Sequence, residues 1–145
     1  MPESAPQSFS NHTRYDPLYH FFILPVFSLL LLASIVRLVM CPGLHSALLV
    51  VVVIALSIMA FKLRTYPLKV QDRVISLEER LRLATLLDPA LRPRIAEFTE
   101  SQLVALRFAS DAELPALAAR ALNEKLTAAD IKKSIQNWRP DNWRV

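Results

Sequence analysis

The sequence predicts an all-α protein, a transmembrane helical hairpin followed by a small cytoplasmic helical domain. Residues 18–36 and 44–61 contain no Asp, Glu, Lys or Arg, and stretches of that length and polarity read as membrane spans. The second half of the chain carries helix-start signals at Thr99, Ser110 and Thr127. No window shows the β-branched alternation of a strand. The organisation expected is a polar arm over 1–16, a two-helix hairpin over 17–64 and a cytoplasmic helical domain with a Trp/Arg tail over 65–145.

Each span covers on the order of 27 Å at 1.5 Å per residue, close to the hydrocarbon thickness of a bilayer. A run such as Leu48-Leu49-Val50-Val51-Val52-Val53-Ile54 offers no polar face to water, which a surface helix of a soluble domain needs. A lipoprotein signal ending at Cys41 fits poorly, because Met40 is large, Arg37 interrupts the approach and the apolar run exceeds a normal signal core. Within the first span, Pro25 removes one backbone hydrogen bond and is expected to kink the helix. The connection Cys41-Pro42-Gly43-Leu44 suits a type II turn, with Pro second and Gly third.

Lys62, Arg64, Lys69 and Arg73 crowd the end of the second span, so the positive-inside rule places that end in the cytoplasm. Two spans return the N-terminus to the same side. Arg14 agrees, while Arg37 can snorkel to the outer interface. Tyr15, Tyr19, Phe21, Phe22 and Tyr66 then form an aromatic belt at the cytoplasmic boundary.

Thr65-Tyr66-Pro67 predicts a break, with a new helix from Leu68, since the residue before a proline disfavours helical dihedrals. In that helix Val70, Val74, Leu77, Leu81 and Ala84 alternate by four and three, a heptad seam. The plainer use of the seam is packing on the helices that follow; the other is self-association or a partner helix. Glu78 and Arg82 form an i,i+4 pair, and Glu78-Glu79 reads as solvated surface. Further helices are expected over 91–98, 100–109, 111–124 and 128–138. Thr99 with Gln102 and Ser110 with Glu113 fit capping boxes, and Thr127 with Asp130 is a looser version. Leu103, Leu106, Phe108, Leu114, Leu117, Leu122, Ile131, Ile135 and Trp138 make one small core. The tail repeats Asn137-Trp138-Arg139 and Asn142-Trp143-Arg144 around Pro140, pairing the residue types that dominate interface hot spots. Either Trp138 completes the core and Trp143 sits at the membrane surface, or the pairs dock a partner.

Composition narrows the chemistry. Among 145 residues there is one cysteine and one glycine, which removes a disulfide framework, a cysteine metal cluster and every glycine-rich phosphate loop. His20 and His45 open different spans on opposite sides, so one chain cannot ligate one haem with both. His12, His20 and Asp16 match no trusted metal spacing. The spans carry no acid to couple protons. Residues 62–145 hold 15 basic and 11 acidic residues, giving all of the net +4 but no histidine or cysteine. The basic residues are interleaved with acids, which does not argue for nucleic acid.

The segments 7–17, 69–75 with 77–82, 102–111 and 131–133 with 137–141 resemble a family of small bacterial membrane proteins known as a domain of unknown function. The resemblance implies a bacterial cytoplasmic membrane protein with two spans and a helical cytosolic domain, and implies no activity, cofactor or binding residue. It also implies that the arm over 11–17 packs under the cytosolic domain. The expected function is a non-catalytic interaction protein, an accessory subunit of a larger membrane complex or a homo-oligomeric scaffold. An oligomeric channel or transporter, wetted by Ser28, Ser34, Ser46 and Ser57, is the alternative. Expected partners are membrane lipids and other subunits or a second copy, with no cofactor, metal, nucleic acid or small-molecule substrate. The partner-facing residues expected are Val70, Val74, Leu77, Leu81, Trp138, Arg139, Trp143 and Arg144.

Overall fold

A computed structural model of the chain describes residues 7–10 and 16–141. Among these residues every regular element is helical, and the one sheet-like contact is an antiparallel bridge between Ala109 and Trp138. Two units arise, one from residues 16–68 and one from residues 7–10 with 69–141.

In the first unit Asp16 starts the helix, its Oδ1 accepting from Tyr19 N at 3.2 Å. A π-helical turn, Tyr19–Ile23, then leads into α1, Leu24–Met40. Leu24 N donates to Tyr19 O across that turn, directly ahead of Pro25. The wide turn and the proline at the start of α1 are one feature, because a residue without an N–H is best placed where the regular bonding ladder has already been reset. Helix α2 runs Leu44–Leu86.

The turn between α1 and α2 is not type II. That geometry needs a positive φ at Gly43, and Gly43 has none. Gly43 instead occupies the N-cap of α2, its carbonyl accepting from Ala47 N at 3.0 Å, while Ser46 Oγ donates to Cys41 O at 2.8 Å. Tyr19, Ser34, Ser46 and Val53 are the buried residues of the hairpin, and its leucines, valines and isoleucines otherwise stand largely exposed. Two helices are therefore long and apolar enough to cross a membrane, with 6% and 11% of their most apolar windows buried.

The expected break at Pro67 does not occur, since α2 continues through it. Proline removes one N–H bond and strains the preceding turn, a local penalty of about 3 kcal/mol. Each flank of α2 is held independently: Ser46 and Val53 pack in the hairpin, and Ile75, Leu83 and Leu87 pack in the second unit. Tertiary packing on both sides outweighs a local preference.

The second unit surrounds one apolar core. Leu103, Leu106, Phe108, Leu114, Leu117, Ile131 and Ile135 are buried in it, with Leu122 and Trp138 packed against it, as the sequence predicts, and Leu83, Leu87 and Phe98 join them without having been expected there. A 3₁₀ turn, Arg92–Glu97, stands where a helix over 91–98 is expected. Helices α3, Glu100–Leu106, α4, Leu114–Asn123, and α5, Ala128–Ser134, follow, each shorter than predicted. Thr99 and Gln102 form the reciprocal capping box, and Thr127 Oγ1 accepts from Asp130 N. At Ser110 and Glu113 the box is absent. Glu113 turns its carboxylate to the chain after α5, accepting from Gln136 N at 2.9 Å and Asn137 N at 3.1 Å. Those two amides, left without a helix beyond Ser134, attract the acid more strongly than the backbone of Ser110 does.

The beginning of the arm packs on this unit. Gln7 Nε2 donates to Asp141 O at 3.2 Å, Asp141 N donates to Gln7 Oε1 at 2.9 Å, and Lys133 Nζ lies 5.9 Å from the Phe9 ring. The arm over 11–17 falls outside the described residues up to position 15.

Candidate interaction surface

The part of α2 in the second unit presents two apolar faces. Ile75, Ser76, Glu79 and Leu83 recur at spacings of one, three and four residues and are buried against the domain. Val70, Val74, Leu77 and Leu81 recur at four and three and lie on the opposite side of the helix, between 50% and 63% exposed. The heptad seam therefore does not pack on the helices that follow. The core instead includes Leu83 of the opposite row, clustered with Phe98, Leu103 and Leu106, which leaves the seam open.

Of the other predicted partner residues, Trp138 belongs to the core. Its ring packs 4.9 Å from that of Phe108, and its backbone closes the bridge to Ala109. Arg139 is exposed, with Nη1 3.9 Å from Glu79 Oε1 and its amide donating to Phe108 O at 2.7 Å. Trp143 and Arg144 lie outside the described residues. The structure thus gathers the four seam residues on one face and separates Trp138 from them.

Beside the seam runs a polar network that sequence reasoning missed. Glu79 is buried rather than solvated, with Arg82 Nη1 at 3.1 Å from its Oε2. Arg82 also grips Asp111 Oδ1 at 2.6 Å and donates to Ala109 O at 2.6 Å, so it pairs with Glu79 and not with Glu78. Burial pushes the Glu79 carboxyl above the usual carboxylate range, with the Arg82 charge pulling the other way. Arg107 is buried too, with Nε 2.9 Å from Asp141 Oδ2 and its guanidinium 4.1 Å over the Phe108 ring. Two grooves of about 460 and 500 Å³ flank Glu79 and Arg139, the first bordered by Val74 and Glu78 of the seam side. The available signal was register: Glu79 sits four residues from both Ile75 and Leu83, on the row that forms the core.

Among the described residues several arginines are already engaged within the domain. Arg94 is paired with Glu97, Arg120 with Glu124 and Arg107 with Asp141, while Arg92 donates to Leu87 O. Among the described residues no three His, Cys, Asp or Glu side chains converge as a metal set would.

A family model described as a family of unknown function, DUF6526, matches residues 2–145. The chain belongs to the DUF6526 family. No curated protein and no solved structure matches it. The features of this DUF6526 member that bear on function are its two apolar helices and the exposed face of α2.

Proposed function

We propose that this DUF6526 chain is a non-catalytic integral membrane interaction protein of the bacterial cytoplasmic membrane. It acts as an accessory subunit of a larger complex or as a homo-oligomeric scaffold. The observation that carries the reading is the hairpin surface. Leu29, Leu32, Val39, Leu48, Val51 and Ile58 all stand more than half exposed, which water would not tolerate over so wide an area and lipid would cover. The core helix of a soluble protein would be mostly buried, and these span windows are not.

The proposed topology has two spans and both termini in the cytoplasm, following Lys62, Arg64, Lys69 and Arg73 after the second span. Lys62 Nζ lies 5.1 Å over the Tyr66 ring, an arrangement suited to the headgroup layer. The helical domain then works as the cytoplasmic interaction module, with Val70, Val74, Leu77 and Leu81 as its apolar contact face. Pore formation draws less support, because Ser28, Ser34, Ser46 and Ser57 each donate to a backbone carbonyl of their own hairpin.

Purification of the full chain from its native membrane in a mild detergent tests the reading. A particle with several copies, or with other chains in fixed stoichiometry, is the expected outcome. A monomer without other chains would contradict it.

A further inference from the structure

We propose that the exposed seam of α2 is a parallel self-association surface, its register set by Arg73 of one copy against Glu78 of a second. The inference rests on the membrane-protein reading, which forces all copies to enter the bilayer in one orientation.

The stripe assigns Val74 and Leu81 to a positions and Val70, Leu77 and Ala84 to d positions. Arg73 and Arg80 then fall at g, and Gln71 and Glu78 at e. Arg80 is engaged within its own chain, donating to Ile95 O at 3.2 Å and Phe98 O at 3.4 Å. Arg73 and Glu78 are exposed and make no hydrogen bond or ion pair with a described residue. In a parallel pair a g residue meets the e residue five positions later on the other helix, which joins Arg73 to the second copy's Glu78, twice by symmetry. An antiparallel pair would instead set g against g, bringing arginines together.

The same geometry accounts for the apolar positions. In a parallel pair each a or d residue faces its own counterpart, so Val74 meets Val74 and Leu77 meets Leu77. A β-branched residue at a followed by leucine at d, as in Val74 and Leu77, favours two strands. Two heptads alone are too short for a stable coiled coil in water. Anchoring in one membrane raises the effective concentration of the seams and removes the wrong orientation.

The test uses the full chain in native membranes. In a Cys41→Ser background, Val74→Cys and Leu77→Cys variants are oxidised, with Ser101→Cys on the exposed surface of α3 as control. Disulfide-linked species of twice the chain mass are expected at 74 and 77 and not at 101. In detergent micelles, Arg73→Glu or Glu78→Arg alone should weaken the dimer about tenfold, and the two together should restore it. These positions are exposed, so the monomer should keep its helix content. Absence of the 74 and 77 cross-links, or failure of the double reversal to restore the dimer, overturns the proposal. Cross-linking of 74 and 77 to a different chain overturns self-association and leaves the interaction reading standing. Release of the chain into the soluble fraction overturns both.

Discussion

Two leucines on one helix separate folding from association. Leu83 is 0% exposed in the domain core, and Leu77, six residues earlier, is 59% exposed on the seam. Leu83→Ala leaves a cavity among Leu87, Phe98 and Leu103, and truncations of that kind cost about 2 to 5 kcal/mol. Leu77→Ala removes little packing within the chain, so its effect on folding should stay within about 0.5 kcal/mol. Its effect on association is larger. Full burial of a leucine contributes roughly 1.5 to 3 kcal/mol, and covering the 59% still exposed gives about 0.9 to 1.8 kcal/mol per copy. In a symmetric dimer the loss doubles to roughly 2 to 3.5 kcal/mol, more than a tenfold change in dissociation constant. Thermal unfolding of the full chain in detergent measures the first effect, and sedimentation equilibrium in the same micelles measures the second. Unfolding of the monomer by Leu77→Ala as severe as that by Leu83→Ala, or unchanged association, would show that Leu77 does not belong to an open contact face.

Four further outcomes follow from local geometry. Lys125 carries a φ of 52° just after α4, where Leu126 N donates to Ala121 O, so Lys125→Gly should stabilise the domain by about 1 kcal/mol in a denaturant titration. Gly43 has no positive φ and nothing within 4 Å of an added Cβ, so Gly43→Ser at the N-cap should raise the hairpin's melting temperature slightly. A type II turn would predict a fall instead. Glu113→Ala strips the acceptor from the Gln136 and Asn137 amides and should cost about 1 to 3 kcal/mol, read as faster hydrogen exchange at both. Glu79, whose carboxyl is raised by burial, stabilises the fold more when protonated: that contribution is complete below its unfolded pKa and is lost as pH rises through the folded one. The native protein should therefore gain stability relative to Glu79→Gln as pH falls from 7 toward 4. A constant difference across that window would show that Glu79 does not titrate there. Glu97 and Asp130, held below the usual carboxylate range by Arg94 and Thr127, act in the opposite sense and cancel in the comparison.

The parts of the fold legible in the sequence are those set by nearest neighbours or by uniform polarity. The two apolar stretches, the Thr99 and Gln102 cap, and the leucine and isoleucine positions of the small core depend on spacing along one helix. What was hidden depends on contacts distant in sequence. Val70, Val74, Leu77 and Leu81 form the more regular stripe, yet Ile75, Leu83 and Leu87 with Glu79 fill the core, because only the shape of the partner helices decides which face is covered. Glu113 carries a capping signature and spends its carboxylate 23 residues away. Pro67 marks a local preference that packing on both flanks overrides. Nothing local distinguishes Arg107 from the other basic residues, and its burial beside Phe108 and Asp141 depends on the return of the chain at residue 141.

The central claim is that the exposed apolar hairpin is covered by lipid. Fractionation of cells expressing the full chain, with an alkaline carbonate wash of the membranes, tests it most directly. Retention of the chain in the washed membrane pellet, with release only by detergent, is the predicted result. Recovery in the carbonate supernatant or the soluble fraction would contradict it.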